Sequence, residues 1–308
     1  MSTTLSSPSV LASVSDELAG AVDRAGEGVV TVDARRRHPA SGIVWRNDGL
    51  IVTANHVVER DEEIGIGLSD GRRLNANLVG RDPGIDLALL RVEAEDVAPL
   101  ARSVQEPRVG HIALAVARPG PSGAMASLGV ISAVGGQLRL RGGASLDRYV
   151  QADVAMLPGF SGGALVDASG NLIGLNSSTL GHGNGLTVLA GSIDATVEAL
   201  LQHGRVRRGY LGVGAQAVRL PESLATSLGQ EQGLLIVSVE SGGPADAAGL
   251  MLGDVILSVD GNEVGQVEQL QEVLSGDRVG RAVPVRVARG GEPRETAVTV
   301  GERQRQGE

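Results

Sequence analysis

The segment of this chain best suited to covalent chemistry is a serine enclosed by glycines. Ser161 lies in the run PGFSGG, residues 158–163. Glycine tolerates positive φ, so successive backbone N–H groups can turn toward one point and form an oxyanion hole beside the serine hydroxyl. The motif also fits the nucleophile elbow of α/β-hydrolases, in which the serine opens a helix. Residues 165–174 instead read as a strand, a Ser-Gly turn and a second strand, so Ser161 is predicted on a loop that enters a β-hairpin.

A histidine and an aspartate earlier in the chain supply the other groups that a serine nucleophile needs. His56 follows the apolar strand of residues 50–53, and Asp86 directly precedes the apolar strand of residues 87–92. Taken singly, the histidine reads as an ordinary core residue and the aspartate as a cap at a strand edge, since a buried polar group must be hydrogen-bonded. Asp82 is a rival carboxylate, which we place in a solvated turn.

Together these residues occur in the order His, Asp, Ser, which is one of the chain orders of acyl-transfer triads. Ser161 is too weak a nucleophile at neutral pH, so His56 must take its proton, and Asp86 would fix the imidazole tautomer. The N–H groups of Gly159 and Ser161 are the predicted oxyanion hole. The hydrolase alternative needs an acid and a base after the serine, and no alternation of strands and helices supports that fold. Its candidates would be Asp194, His182 and His203.

Length and composition limit the remaining possibilities. The 308 residues suffice for two domains, and 45 glycines with 42% apolar residues and few helical periods favour β-rich structure. The net charge is −9 and every basic residue is an arginine, which argues against nucleic acid as the main partner. Cysteine is absent, and the histidines other than His56 lack metal-ligand spacing, so we predict neither a metal site nor a cofactor.

The N-terminal segment and the hydropathy pattern bear on the location of the protein. The first 25 residues carry no basic start and no continuous apolar run, so we predict no signal peptide. No apolar stretch elsewhere reaches the length of about 18 residues that indicates a membrane-spanning helix. We therefore predict a soluble protein without a membrane segment and favour the cytoplasm, although an exported or anchored protein trimmed of its leader would look the same.

The pattern of apolar residues predicts a helix followed by a barrel. Residues 8–25 place apolar side chains at helical spacing, with Ser7 as the N-cap and Pro8 as the first helical residue. Short strands separated by Gly, Pro and Ser turns continue to residue 190, which is typical of a β-barrel. A helix over 193–204 then ends the domain.

The composition changes after this helix, and a second domain begins. Residues 206–303 read as a small β-barrel with two helices, over 245–248 and 266–274. We therefore predict a first domain at 1–205, a second at 206–303 and a polar tail at 304–308.

Three short blocks resemble the catalytic blocks of HtrA-type serine proteases, and a fourth is similar to the opening of that family's PDZ domain. The blocks are TANHV at 53–57, DLALL at 86–90, GFSGG at 159–163 and RGYLGV at 208–213. The resemblance implies a mainly β chain, with a chymotrypsin-like double β-barrel followed by a PDZ domain. It assigns His56 and Asp86 to the first barrel and Ser161 to the second. It also implies an ATP-independent endoprotease that acts on unfolded or misfolded proteins in protein quality control and often forms trimers.

The chain departs from the family pattern at positions that bear on function. Phe160 stands where the family usually has asparagine, and a bulky apolar side chain there could hold the oxyanion loop in a competent or a collapsed shape. Ala164 replaces a usual proline, and Ala54 replaces a common asparagine. N-terminal aromatic residues that help some relatives to form trimers are missing, so a homotrimer rests on the resemblance alone. The alternative function is a catalytically impaired protease-fold chaperone or peptide-binding scaffold.

Two sets of residues are candidates for binding substrates and peptides. The primary pocket is predicted just before the serine and on the strand after the hairpin, and its lack of charge favours small or medium aliphatic side chains over Lys or Arg. Its residues are Met156, Leu157, Asn176, Ser177 and Ser178. In the second domain, backbone N–H groups would capture the carboxylate of a peptide C-terminus, and the peptide would add a strand beside a helix. The residues predicted for this groove are Tyr210, Leu211, Gly212, Val213, Val267, Leu270, Gln271 and Leu274.

Overall fold

The computed structural model describes residues 9–36, 38–94, 96–140, 144–181, 185–206, 209–274 and 278–302. The chain divides into two compact units between Arg205 and Val206. Several predicted features lie outside the described residues. They are Ser7, Pro8, His182, Arg208 and the tail at 304–308.

The N-terminal helix, α1, spans Val10–Glu27 and begins two residues later than the sequence pattern predicts. Its N-cap is Ser9, whose hydroxyl accepts a backbone N–H from the first turn at 3.2 Å, so the assignment of the cap to Ser7 is wrong. Either serine has the chemistry of a cap, and the sequence pattern does not discriminate between them. Ala21 and Ala25 are fully buried, so the helix packs on its domain through its C-terminal half.

Six strands of the first unit close into a barrel that carries the predicted histidine and aspartate. They are β1 (Val29–Asp33), β2 (Ala40–Val44), β3 (Leu50–Ala54), β4 (Ile64–Gly67), β5 (Arg73–Asp82) and β6 (Leu87–Val92). They hydrogen-bond in the order β1-β2-β3-β6-β5-β4, and β1 pairs with β4 to close the ring. Val30, Ile51 and Leu90 are fully buried in the core of this barrel, as the alternation of inward and outward side chains requires.

A second barrel in the same unit carries the predicted nucleophile. Its strands are β7 (Ile112–Ala117), β8 (Met125–Gly135), β11 (Tyr149–Ala152), β12 (Ala164–Val166), β13 (Leu172–Ser177) and β14 (Leu186–Leu189). A separate hairpin pairs β9 (Leu138–Arg139) with β10 (Ser145–Leu146). The barrel order is β11-β14-β13-β12-β7-β8, and β11 pairs with β8. The helix α2, Ala190–His203, follows β14 directly and begins three residues earlier than predicted.

The second unit is a sheet with short helices. Its strands are β15 (Gly209–Tyr210), β16 (Val213–Arg219), β17 (Gln232–Val239), β18 (Val255–Val259), β19 (Asn262–Glu263), β20 (Ala282–Arg289), β21 (Glu292–Thr299) and β22 (Gly301–Glu302). Its helices are α3 (Glu222–Leu228), α4 (Pro244–Ala247) and α5 (Val267–Val273). The main sheet has the order β16-β17-β18-β20-β21, with β19 on β18, while β15 pairs with β22. The described strands thus form a sheet with edges at β16 and β21, and α3 is additional to the two predicted helices.

The only tryptophan of the chain joins the first barrel to α2. Trp45 directly follows β2 and is 4% exposed. Its Nε1 donates to the carboxylate of Asp194 in α2 at 2.9 Å. The guanidinium of Arg102 lies over the ring, with its central carbon 3.6 Å from the centroid, and also donates to Asp194 at 3.0 Å. The indole is therefore held by both a hydrogen bond and a cation–π contact.

Candidate active site

Glycines shape the loop between β11 and β12 that carries the predicted nucleophile. Ser161 is 7% exposed, and Gly159 (φ +87°) and Gly162 (φ +83°) on either side of it adopt left-handed backbone. A Cβ on Gly162 would lie 2.1 Å from the carbonyl oxygen of Ser41, so only glycine fits there. The N–H of Gly162 donates to the carbonyl of Asn176 at 2.8 Å, which ties the loop to β13.

A buried serine of the first barrel holds this loop from the other side. The hydroxyl of Ser41, in β2, donates to the carbonyl of Gly159 at 2.8 Å, and its N–H donates to the carbonyl of Ser161 at 3.3 Å. The carbonyl of Ser41 accepts the hydroxyl of Thr53, also fully buried, at 2.7 Å. Neither Ser41 nor Thr53 is among the residues predicted from the sequence. Hydroxyls inside apolar strands are nevertheless a usable signal, because buried polar groups need partners.

His56 and Asp86 meet because their strands are antiparallel neighbours. β3 pairs with β6, with Ala54 opposite Leu87, so the residues after β3 and before β6 lie at the same end of the barrel. His56 lies in a single 3₁₀ turn, Asn55–Val57, and its Nδ1 is 2.7 Å from Oδ2 of Asp86. The backbone N–H of His56 donates to the other carboxylate oxygen at 2.9 Å. One carboxylate therefore fixes both the turn and the imidazole ring.

Two hydroxyls at the end of β13 and just after it complete the surroundings of Asp86. Ser177 donates to Oδ2 at 2.5 Å and Thr179 donates to the same oxygen at 2.9 Å. Burial raises the pKa of Asp86, but the hydrogen bond and charge of His56 and the bond from Ser177 outweigh it and hold the pKa below its ordinary value. The ionised carboxylate keeps a proton on Nδ1 of the imidazole and leaves Nε2 free to accept one. Thr179 is not among the predicted residues.

The hydroxyl of Ser161 is bound to Ser178 rather than to the imidazole. The two Oγ atoms are 2.8 Å apart, and the N–H of Ser178 donates to Ser161 Oγ at 3.3 Å. The hydrogen bonds among the described residues include none between Ser161 and His56. The consecutive residues Ser177 and Ser178 thus contact the carboxylate of Asp86 and the hydroxyl of Ser161 in turn.

The loop that carries Ser161 has a buried aromatic side chain and two backbone N–H groups without a protein acceptor among the described residues. The side chain of Phe160 is 1% exposed and is the largest of the fully buried side chains. Its N–H donates to the carbonyl of Leu157 at 3.0 Å, and its carbonyl accepts the N–H of Gly163 at 3.0 Å. Within the described part of the chain, the N–H groups of Gly159 and Ser161 donate to no protein acceptor. These two donors are available to an oxygen bound beside the Ser161 hydroxyl.

The residues predicted for the primary pocket divide by exposure. Leu157 is 42% exposed, Ser178 is exposed and Met156 is half-buried, whereas Asn176 and Ser177 are buried. The hydroxyl of Ser177 points to the carboxylate of Asp86, so this side chain serves the histidine–aspartate pair rather than the pocket.

The side chain of Asn176 has one unmatched polar group. Its Oδ1 accepts the hydroxyl of Thr187 at 2.9 Å. Its Nδ2 is buried and has no hydrogen-bond partner among the described residues. Such a buried donor is uncommon in folded proteins because it costs free energy.

The rival carboxylate has a structural role, and the prediction that it is solvated is wrong. Asp82 is the last residue of β5 and is 3% exposed. Its Oδ1 accepts the N–H of Gly84 at 2.9 Å and so caps the turn that leads to Asp86. The preceding residue, Arg81, donates to the carbonyl of Val58 at 2.6 Å and thereby braces the turn that carries His56.

The second unit has the predicted carboxylate-binding segment at the start of its edge strand β16. Leu211 is 2% exposed and its carbonyl accepts the N–H of Ala245, while the carbonyl of Gly212 (φ +78°) accepts the N–H of Glu240, both at 2.8 Å. The hydroxyl of Tyr210 donates to the carboxylate of Glu240. In the described ranges, the N–H groups of Leu211 and Gly212 donate to no protein acceptor, so they can donate to a ligand oxygen.

The residues predicted for the groove on α5 and at the start of β16 are either buried in the core or half-buried. Leu270 and Leu274 are 5% and 3% exposed and belong to the hydrophobic core of this unit. Val267 and Val213 are half-buried and pack against that core, and Gln271 is half-buried. Leu270 and Leu274 therefore hold α5 in place. Val213, Val267 and Gln271 are the residues that a bound peptide can reach.

Comparisons with known proteins identify the family. A model of the trypsin-like peptidase domain matches residues 40–175, and a model of the PDZ domain matches residues 209–300. The structure of the HtrA-type protease AlgW with a decapeptide is similar with a TM-score of 0.76 and 31% identity, over 94% of this chain and 99% of that one. The chain belongs to the HtrA-type serine proteases. The serine endoprotease from Yersinia pestis gives a TM-score of 0.77 at 30% identity, over 93% of this chain and 98% of that one.

This HtrA-type chain has the fold that the sequence predicts. The mainly β architecture, with a double barrel of trypsin type followed by a PDZ domain, is confirmed by the two domain matches and the similar structures. The assignment of the chain to this family is confirmed with it.

Curated relatives correct the predicted location of this HtrA-type chain. A probable periplasmic serine endoprotease, DegP-like, of Hahella chejuensis is 36% identical over 281 residues, which are 87% of this chain and 59% of that protein. A protein of the same description in Halomonas elongata is 38% identical over 278 residues, 87% of this chain and 57% of that protein. The chain thus spans less than two thirds of these relatives. Because they are named periplasmic, the preference for the cytoplasm is wrong.

The reason for this error is physical. The signal for export is a leader segment, and the sequence of a folded domain does not have to differ between exported and cytoplasmic proteins. In the described part of the chain, no helix has the length and apolar character needed to cross a membrane.

Proposed function

We propose that this chain is a serine endopeptidase whose nucleophile is Ser161, with His56 as general base and Asp86 as the carboxylate that orients it. The observation that supports this most is the 2.7 Å contact between His56 Nδ1 and a buried, ionised carboxylate. A buried carboxylate fixes the tautomer in which Nε2 is the proton acceptor, and that is the requirement for activating a serine.

The reaction follows from these positions. The Oγ of Ser161 attacks a peptide carbonyl carbon while Nε2 of His56 takes its proton. The carbonyl oxygen becomes an oxyanion, and the free N–H groups of Gly159 and Ser161 stabilise it. His56 then gives the proton to the leaving amine, and water hydrolyses the acyl-enzyme by the same sequence in reverse order. Asp86 stays ionised throughout and offsets the charge of the imidazolium.

The proposed substrates are unfolded or misfolded proteins in the periplasm. The relatives are named periplasmic endoproteases, and the pocket residues Met156, Leu157 and Asn176 carry no charge. An uncharged pocket favours small or medium aliphatic side chains at the cleaved bond, because a Lys or Arg side chain would be buried without a counter-charge. We also propose a homotrimer, which light scattering coupled to gel filtration tests directly.

The PDZ domain is proposed to bind peptide C-termini. The solved AlgW structures hold a decapeptide or a tripeptide. In this chain the free N–H groups of Leu211 and Gly212 adjoin the edge strand β16, which can accept an added strand. Val267 and Gln271 of α5 would contact the side chains of the peptide.

The test of catalysis is digestion of unfolded casein together with labelling by a serine-directed phosphonate. The wild-type protein is expected to cleave casein and to be labelled once per chain, and Ser161→Ala is expected to lose both. Loss of the hydroxyl leaves the loop otherwise unchanged, so circular dichroism should not differ. Turnover retained by Ser161→Ala would exclude this residue as the nucleophile.

The test of peptide binding compares one hydrophobic peptide with a free C-terminal carboxylate and with a C-terminal amide. The free acid is expected to bind at least about tenfold tighter in calorimetry, because the amide removes the charge that two backbone donors would bind. Equal affinity for the two peptides would contradict carboxylate capture. Gln266→Glu, outside the predicted groove, is a control for general charge effects.

A catalytically impaired chaperone is the second candidate, and one observation favours it. Ser161 is bound to Ser178 and has no hydrogen bond to His56 among the described residues. If neither wild type nor Ser161→Ala reacts with the phosphonate, even with the hydrophobic peptide present, the chaperone function replaces the protease.

A further inference from the structure

We propose that Ser178 is a positioning residue that holds the Ser161 nucleophile in a resting arrangement and competes with His56 for its hydrogen bond. This inference rests on the proposed protease function and adds a device that controls it. It starts from a contact that catalysis itself does not require, the 2.8 Å approach of the two Oγ atoms.

The last residue of β13 and the two residues after it present three hydroxyls in succession to the proposed catalytic residues. Ser177, the last residue of the strand, and Thr179 both donate to the carboxylate of Asp86. Ser178, between them, faces the nucleophile. Ser178 and Thr179 lie in the bend that follows the strand, and in this bend the middle hydroxyl contacts Ser161 while its neighbours bind Asp86.

Ser178 makes two hydrogen bonds with Ser161 Oγ. Its backbone N–H donates to that oxygen at 3.3 Å, and its own hydroxyl shares a hydrogen bond with it. A serine hydroxyl has a single proton to donate, and general-base catalysis requires that this proton point to Nε2 of His56. A proton given to Ser178 is not available to the base, and a bond accepted from Ser178 lowers the electron density of the attacking oxygen.

The exposed position of Ser178 also allows a substrate to break its hydrogen bond to Ser161. Ser178 is exposed, whereas Ser177 is fully buried and Ser161 is 7% exposed. A polypeptide that approaches Ser161 from solvent therefore meets Ser178 before the buried groups. A substrate group that binds the Ser178 hydroxyl breaks its bond to Ser161 and returns the nucleophile to His56.

The experiment measures the second-order rate constant of phosphonate labelling for full-length wild type and Ser178→Ala. The variant is expected to react about 2- to 10-fold faster, the factor that corresponds to one neutral hydrogen bond. The pH midpoint of labelling should stay at the wild-type value, because the His56–Asp86 pair is untouched. A merely structural disturbance would shift that midpoint or slow the reaction.

Two further variants serve as controls. Ser178→Thr keeps a hydroxyl and is expected to react at the wild-type rate. Ser132→Ala removes an exposed hydroxyl from β8 of the same barrel, where it donates to the carbonyl of Gln151, and is also expected to match wild type. Acceleration in Ser178→Ala alone supports the proposal.

The two proposals fail in different ways. An unchanged or slower rate in Ser178→Ala, with wild type labelled and Ser161→Ala not labelled, overturns the role of Ser178 and leaves the protease function standing. No labelling of wild type or of Ser178→Ala overturns both. Labelling of Ser178→Ala but not of wild type supports the role of Ser178 and leaves the wild-type chain as the catalytically impaired protein of the second candidate function.

Discussion

The backbone of Asp86 explains how one carboxylate can hold the whole histidine turn. Asp86 has φ +57°, a left-handed conformation that non-glycine residues seldom adopt. In this position its Oδ1 accepts the N–H of His56 and its Oδ2 accepts Nδ1. Strained backbone of this kind persists only where the surroundings favour it, and functional sites are where it collects.

The lowered pKa of Asp86 predicts an acid-dependent part of the stability. The folded-state pKa lies below its ordinary value of 3.8, so the folded protein binds fewer protons than the unfolded chain near that pH. The resulting stabilisation is present above the ordinary pKa and is lost as the pH falls through the lower, folded-state value. We expect Asp86→Asn to show a shallower fall of the free energy of unfolding below about pH 5, measured by urea denaturation. We also expect its kcat to fall about 10³- to 10⁴-fold.

A surface carboxylate provides the control for this experiment. Asp70 also has a lowered pKa, through hydrogen bonds from Arg72, but it is exposed to solvent. Asp70→Asn is expected to change the acid dependence much less than Asp86→Asn and to leave kcat as in wild type. If the free energy of unfolding falls equally steeply with decreasing pH in Asp86→Asn and in wild type, the account of the buried carboxylate is contradicted.

Residue chemistry could be predicted from the sequence where type and order decide it. His56 and Asp86 were recognisable because only certain residues can serve a serine, and the structure brings these two into contact. Ser178 was predicted for the primary pocket, but its contact with Ser161 could not be predicted, because that contact depends on the path of a loop. The same holds for Thr179, whereas the hydroxyl of Ser41 within an apolar strand was a usable signal. Ser177 shows the same limit, since a hydroxyl at the end of a strand can face either the pocket or the carboxylate.

At the scale of elements, the loop that carries Ser161 depends on the close approach of two backbones. We expect Gly162→Ala to unfold the loop locally and to reduce casein cleavage at least about 100-fold, since its Cβ would lie 2.1 Å from the carbonyl oxygen of Ser41 and 2.4 Å from the hydroxyl of Thr53. The free energy of unfolding should decrease by more than the cost of left-handed backbone in a non-glycine residue, which is about 1–2 kcal/mol. Denaturation and a casein assay measure both effects.

A second glycine separates steric clash from backbone strain. Gly71 has φ +90°, similar to Gly162, but a Cβ there would meet nothing within 4 Å. Gly71→Ala is therefore expected to lose about 1–2 kcal/mol of stability and to keep its casein activity. A loss of activity in Gly71→Ala equal to that in Gly162→Ala would contradict the account in which contact with Ser41 accounts for the loss.

The predicted elements differ from the observed ones where apolar content is low. Strand β5, Arg73–Asp82, continues through polar residues because β6 pairs with it as far as Asp82, which a sequence pattern does not reveal. Helix α3, Glu222–Leu228, contains no buried residue, and its apolar face is limited to the partly buried Leu224, Ala225 and Leu228. This pattern is shorter than the window of about 11 residues in which helical spacing is read. The apolar strands β3 and β6 were predicted nearly in full, because a buried strand needs continuous apolar residues.

At the scale of the whole molecule, each unit depends on its own core and its own buried charges. In the second unit, Nε and Nη2 of Arg289 donate to the two oxygens of Asp254 at 2.7 Å each. Asp254 is 1% exposed, and burial raises its pKa, but the bonds from Arg289 and from the Met251 N–H outweigh burial and lower it. Removal of Arg289 would therefore leave the buried negative charge of Asp254 without a counter-charge.

We expect Arg289→Met to destabilise the second unit by about 3 kcal/mol, since breaking a buried ion pair leaves its partner charge uncompensated. Hydrogen exchange should quicken in β17 and β18 and remain unchanged in β1 to β6. Arg219→Met is the control, because the Arg219–Glu231 pair is exposed and such pairs contribute at most about 1 kcal/mol. Quickened exchange throughout both units would contradict separate cores.

The position of Trp45 has a consequence for how this molecule can be observed. It is the only tryptophan, it belongs to the first unit, and a guanidinium and a carboxylate hold its ring in place. Fluorescence excited at the red edge of indole absorption therefore comes from the protease domain alone, and the PDZ domain is dark. Unfolding that is visible in far-ultraviolet dichroism but silent in this emission belongs to the second unit, so the chain reports the fate of each domain without any label.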